Sequence, residues 1–114
     1  MKRTATNEYG IRLDRNGYAP SIMQDDLEEC FLCGNRSGKL DRHEVFSGPN
    51  RSRSKALGCW CMLCHSTCHQ GFDGVHNNAS RGYMLKRKAQ RIAMNHYGWS
   101  TDEFIRRFGK NYVD

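Results

Sequence analysis

The stretch CMLCHSTCHQGFDGVH, residues 61–76, holds six cysteine and histidine side chains able to ligate a metal: Cys61, Cys64, His65, Cys68, His69 and His76. A tetrahedral ion takes four ligands, so they cannot all serve one site. Upstream, CFLCG places Cys30 and Cys33 two residues apart. Two thiolates at that spacing reach one ion while the amides between them turn toward the sulfurs, and Gly34 turns the chain without a Cβ clash. With a second cysteine pair downstream, the pattern points to tetrahedral zinc. Cys61 with Cys64 repeats the CxxC spacing. Cys64 with Cys68 has three intervening residues, a spacing that one helical turn allows. His43, His69 and His76 then remain beside the cysteines, in a basic chain, as candidates for a second, chemical site.

The elements that must position these groups are short. KLDRHEVF (39–46) alternates as a strand, with Leu40, Arg42, Glu44 and Phe46 on one side and Asp41, His43 and Val45 on the other. SGPNRSRSK (47–55) reads as a polar, flexible, basic loop. ALGCWCML (56–63) reads as a buried strand that forms a hairpin with 39–46. On that strand Cys59 and Cys61 share a face as small apolar residues, Cys64 ends it, and Cys68 follows one turn later. Cys30, Cys33, Cys64 and Cys68 are therefore the favoured zinc set, with Cys61 replacing Cys68 as the alternative.

Residues 1–20 read as loop, and 21–29 as a helical turn or a strand leading into Cys30. Beyond residue 80 the period becomes helical: Leu85, Ala89, Ile92, Ala93 and Tyr97 share a face, and Gly98 ends it. Ser100 stands three before Glu103, a capping box for a second helix with Phe104, Ile105 and Phe108 as its apolar side and Gly109 as its stop.

A 114-residue chain that is 38% apolar, with mean hydropathy −0.81, buries only a modest core, and a metal staple is the common remedy. One domain is expected over 1–114: an N-terminal extension (1–29), a metal-bearing core (30–79) and C-terminal helices (80–114). There is no apolar run long enough for a membrane span. The N-terminal stretch lacks the apolar segment of a signal peptide, so a reducing cytoplasm is expected, where clustered Cys and His read as ligands rather than disulfides. Residues 1–50 carry 7 basic and 8 acidic side chains; residues 51–114 carry 11 and 4, a net +7. That asymmetry points to a polyanion, most simply nucleic acid. Arg51, Arg53 and Lys55 on the loop, and Lys86, Arg87, Lys88 and Arg91 on the helix, are the candidate phosphate contacts.

Taken together, CFLCG, RHEVFSGPNR, LCHSTCH and GVH resemble an HNH endonuclease of the ββα-metal type, most like the small phage-associated HNH proteins that add zinc-binding cysteines. RLDRNGYAPSI near the N-terminus and GKNY near the C-terminus extend the likeness over most of the chain. The resemblance implies a small α+β fold: a zinc-stapled, treble-clef-like ββα-metal core with a C-terminal helical extension. It implies cleavage of DNA phosphodiesters with one catalytic divalent ion (Mg, Mn, Ni or Zn) besides the structural Zn. It places His43 at a metal position with His69 and His76, and Glu44 at the base position, where the family usually has His. Alternatively, His43 is the base and Asp41 lies near the metal. Asn50 matches the family's Asn, ahead of Asn77 and Asn78, and His65 is left spare and solvent-facing. Cys64 and Cys68 match its second cysteine pair with one extra residue between them. The likeness further implies a phage or prophage gene in a bacterial host and leaves room for a phage or recombination protein as partner. The competing expectations are a non-catalytic zinc module that binds nucleic acid and, with less to explain the three histidines, a protein-binding zinc finger.

Overall fold

The structure is a computed structural model that describes residues 5–71 and 74–113; Met1–Thr4 of the expected N-terminal extension lie outside it. Two strands, β1 (Leu40–Glu44) and β2 (Trp60–Cys64), pair antiparallel with Leu40 opposite Cys64, His43 opposite Cys61 and Glu44 opposite Trp60. Opposed residues share a face of the hairpin, so the alternation read from the sequence sets Asp41 and His43 together on one side and Arg42 and Glu44 on the other. β2 is buried on both faces, which is why it reads as an apolar run rather than an alternation.

The chain between the strands departs from expectation. The stretch read as a flexible loop and the first residue of the expected second strand, Ala56, instead form a 3-10 turn (Gly48–Asn50) and a short helix, α1 (Arg51–Ala56). Pro49 opens the turn with its fixed φ. The buried Ser54 hydroxyl accepts from the Phe46 amide at 3.2 Å and donates to the Cys59 carbonyl at 2.6 Å, so one serine ties both ends of the crossover. Gly58 then turns toward β2 at φ +76°, and a Cβ there would meet the Pro20 carbonyl oxygen at 2.4 Å. No side chain fits that position.

The segment before Cys30 is neither strand nor helix. It straps β2 through Ser21 Oγ to the Trp60 carbonyl, Trp60 Nε1 to the Ala19 carbonyl and the Met62 amide to Gln24 Oε1, and α1 through the Ala19 amide to the Lys55 carbonyl.

After Cys64 a π turn (His65–His69) leads toward α2 (Ala79–Tyr97), which buries Leu85, Ala89, Gln90 and Ala93 and stops at Gly98 in the left-handed region. α3 (Thr101–Phe108) starts at Ser100, whose hydroxyl caps the Glu103 amide at 3.1 Å. The reciprocal half of the expected capping box is replaced: the Glu103 carboxylate takes Arg106 and Arg107 instead. Phe104 and Phe108 pack on Phe46, so α3 closes the core over the end of the hairpin. Gln90 is fully buried yet satisfied, donating to Asn111 Oδ1 (2.8 Å) and accepting from the Tyr112 amide (2.7 Å). That pair lays the C-terminal residues along α2. The result is a small α+β fold with a two-stranded sheet and three helices among the described residues. No helix there is long and apolar enough to cross a membrane.

Candidate metal centres

Cys30, Cys33, Cys64 and Cys68 converge with their sulfurs all within 4.8 Å of one another. Cys30 and Cys33 come from the knuckle turn, whose Cys30 carbonyl accepts from the Gly34 amide and whose Phe31 amide pairs with the Met62 carbonyl of β2. Cys64 ends β2, and the π turn returns Cys68 beside it, with the Cys68 amide on Cys64 Sγ at 3.4 Å. The three-residue gap between Cys64 and Cys68 is thus accommodated by an over-wide turn. Tetrahedral zinc with Zn–S near 2.3 Å sets sulfurs about 3.8 Å apart, and Cys33 Sγ lies 3.7 Å from Cys64 Sγ. The thiol chemistry fits as well. Burial pushes the Cys30 thiol up, but amides from Cys33, Cys64 and Leu32 outweigh it and bring it down to about 7. Cys68 is pushed up by burial and by the thiols crowding it, a charge problem that a cation removes. Cys59 and Cys61 are fully buried outside the cluster; burial raises Cys59 to about 12 and Cys61 further still. They are packing residues, and the four clustered cysteines could hold a structural metal such as zinc.

His43, His69 and His76 form the second cluster, their ring nitrogens likewise within 4.8 Å of one another. β1 supplies His43, the end of the π turn supplies His69, and the segment before α2 supplies His76. Nε2 of His69 and of His76 are 2.9 Å apart, and the His43 ring centroid stands 5.1 Å from each of theirs. Burial, reinforced by His69, His76 and Lys86, drives the His43 imidazole down to about 3. His76 is lowered by burial, His69 and Lys86. A cation needs unprotonated ring nitrogens, and the burial that disfavours charging of His43 and His76 works in that direction.

These rings border an open cleft of about 340 Å³, lined also by Arg42, Glu44, Ser47, Gly48 and Arg51. Glu44 lies in the cleft, but its Oε1 accepts from Arg51 Nε at 2.7 Å. Asn50 does not line the cleft: its amide donates to the Phe108 carbonyl at 2.9 Å and its Oδ1 accepts from Arg53, so it fastens α1 to α3. Asn77 donates to the Gln70 and Gly71 carbonyls and Asn78 caps α2. Of the crossover cations only Arg51 faces the histidines. Arg53 borders a separate depression with Asn7 and Arg107, and Lys55 sits over the Tyr18 ring at 4.7 Å. Arg91 is exposed on α2, while Lys86 and Arg87 are half-buried there.

Two residues matter more than their sequence reading implied. Asp41, expected at most near a metal, accepts through one oxygen from Nδ1 of His69 (2.9 Å) and Nδ1 of His65 (2.5 Å). His65 is therefore partnered rather than spare. A carboxylate on Nδ1 fixes the His69 tautomer and leaves Nε2 as the acceptor turned toward His76. The signal was present in sequence: Asp41 lies two before His43 on the same strand face. Arg42 is the other, lying 4.2 Å from the Tyr18 ring centroid and 4.3 Å from that of Trp60 while lining the cleft.

No protein-family model matches the chain, and neither a curated protein nor a solved structure does.

Proposed function

We propose that the chain is a metal-dependent endonuclease of the HNH, ββα-metal type that hydrolyses phosphodiester bonds in DNA, with Cys30, Cys33, Cys64 and Cys68 holding structural zinc. One observation carries the reading: His43, His69 and His76 converge on an open cleft flanked by Arg42 and Arg51, with Asp41 fixing His69 from behind. When bound there, a divalent ion would polarise the scissile phosphate and stabilise the departing oxygen.

The chain's own residues supply the rest. Arg51 and Arg42 offer positive charge to the phosphate. Glu44 is the base candidate, and its ion pair with Arg51 makes its release conditional on substrate: a phosphate that draws Arg51 away frees the carboxylate to take a proton from water. His43, buried and neutral with its ring among the other two, suits the ligand role better than the base role. The Glu44–Arg51 pair also favours the second reading, a zinc module that binds nucleic acid without cutting it, because a permanently held carboxylate is no base.

Supercoiled plasmid incubated with the protein and Mg, Mn, Ni or Zn decides between them. Nicking that Glu44→Gln and His69→Ala both abolish supports the nuclease with Glu44 as base. Nicking that survives Glu44→Gln moves the base elsewhere. Zinc-loaded protein that retards DNA but cuts it with none of these metals is the binding module.

A further inference from the structure

α2 carries Arg81, Lys86, Arg87, Lys88 and Arg91 and no acidic residue at all. α3 is arranged differently, with Glu103 neutralising Arg106 and Arg107. Among the described residues no ion pair involves a cation of α2 or Lys110. Unpaired charge on one helix is commonly a solvated surface, but here it gathers round aromatic rings.

Tyr83 and Tyr112 meet edge to face at 5.5 Å, Tyr112 being delivered by the Gln90 bridge. Lys110 Nζ lies 5.8 Å from the Tyr83 ring centroid and 5.4 Å from that of Tyr112, and the Arg87 guanidinium lies 5.3 Å from that of Tyr83. Tyr83 and Met84 are nonetheless 37% and 39% exposed, and with Ala79, Ser80 and Arg87 they line a shallow groove of about 370 Å³. The small side chains of Ala79 and Ser80 leave a flat ledge beside the tyrosine. Lys86 Nζ lies 5.7 Å from the Tyr112 ring centroid and adds a further cation to this face.

We infer that the Tyr83–Tyr112 face of α2 binds an unpaired DNA strand, stacking a base on Tyr83 and holding its phosphates with Arg87, Lys110 and Lys86. An aromatic ring can stack only on a base whose face is free, and in a duplex those faces are covered. Cations without acidic partners select a polyanion over an apolar protein surface. The inference rests on the DNA reading above and narrows it: the cleft would be fed by single-stranded or frayed DNA rather than by intact duplex alone.

The test is fluorescence anisotropy of a labelled single strand of roughly 12 nucleotides and of the matching duplex, without added divalent ion and with bound zinc verified. The expected result is tighter binding of the single strand, weakened about tenfold by Tyr83→Ala, with the duplex unchanged. Tyr83→Phe should retain the wild-type preference, because it keeps the ring. Lys110→Ala should weaken the single strand and flatten its salt dependence. Equal loss of both substrates in Tyr83→Ala, no loss at all, or a Tyr83→Phe variant that behaves like Tyr83→Ala overturns the inference. Because no step of the assay requires cutting, a protein that nicks no plasmid could still pass it.

Discussion

The two ligand clusters share one π turn, which gives Cys68 to one and the adjacent His69 to the other, and they solve opposite problems. The cysteine cluster offers four thiols, three of them buried, the full complement of a tetrahedral ion. The histidine cluster offers three ring nitrogens and opens onto a cleft with cations on its walls. A saturated site can only hold a fold together, whereas an unsaturated one can admit water or a phosphate oxygen. Five residues, His65–His69, place Cys68 in the first and His69 in the second, so the turn that closes the staple also aims a ligand of the cleft.

The most damaging way to break that contrast is to remove a cysteine. Cys64→Ser or Cys68→Ser should release the zinc and unfold most of the domain, because structural zinc contributes folding energy outright. Circular dichroism melts with zinc quantified by a chromogenic chelator would show it. Cys61→Ala, at a buried position outside the cluster, should keep its zinc and cost about 1 kcal/mol. Zinc lost from Cys61→Ala and kept by Cys68→Ser would reverse the assignment.

Next in size is His69→Ala. The zinc should stay, the melt should move little, and binding of a second divalent ion should fall at least about 100-fold, the upper range for losing a mere outer-shell partner. Isothermal titration with Mn or Ni on the zinc-loaded protein measures it. If His69→Ala also discharged the zinc, the two clusters would be one unit rather than two.

Asp41 probes the seam between them. Asp41→Asn keeps an acceptor for the His69 Nδ1 proton but removes the charge; Asp41→Ala removes both. Second-ion affinity should drop by about 10-fold or more in the alanine variant and less in the asparagine variant. Equal losses would mean that charge, not orientation, is what Asp41 supplies, and no loss in either would show that the His69 ring needs no support.

How much of this was legible in the sequence differs between the two clusters for a physical reason. The favoured set Cys30, Cys33, Cys64 and Cys68 could be read from spacing, because thiolate pairs close in sequence are bound to meet at one ion. The hairpin and both long helices could be read too, from period and from Gly98, Ser100 and Gly109. The histidine cleft needed tertiary information: His43, His69 and His76 come from three segments, so elimination could group them as candidates but only a resemblance gave them roles. Asp41 was undervalued because its partners, His65 and His69, lie across the hairpin. Asn50 was assigned a site role, yet its amide reaches Phe108, 58 residues away. α1 was missed because RSRSKA has no apolar face; Ser54, its one buried residue, is polar and held by two hydrogen bonds that no periodicity reveals.

The smallest expected effect is also the control for the whole comparison. Glu8 pairs with Arg107 of α3, away from both clusters. The hydrogen bond and charge of Arg107 hold the Glu8 carboxyl below its ordinary value, against a smaller effect of burial. A carboxyl with a lowered folded-state pKa stabilises the fold above its unfolded value, near 4.5, and loses that contribution as pH falls through the folded value. Since the Glu8 side chain is 52% exposed, the pair should be worth no more than about 0.5 kcal/mol. Glu8→Gln should therefore lower the melt slightly at neutral pH, and the gap to wild type should close toward pH 3, roughly where such carboxylates protonate. Zinc content and second-ion affinity should not change. A shift in either would mean that the packing of α3 on Phe46 transmits to β1, and the clusters would no longer be separable from the scaffold that carries them.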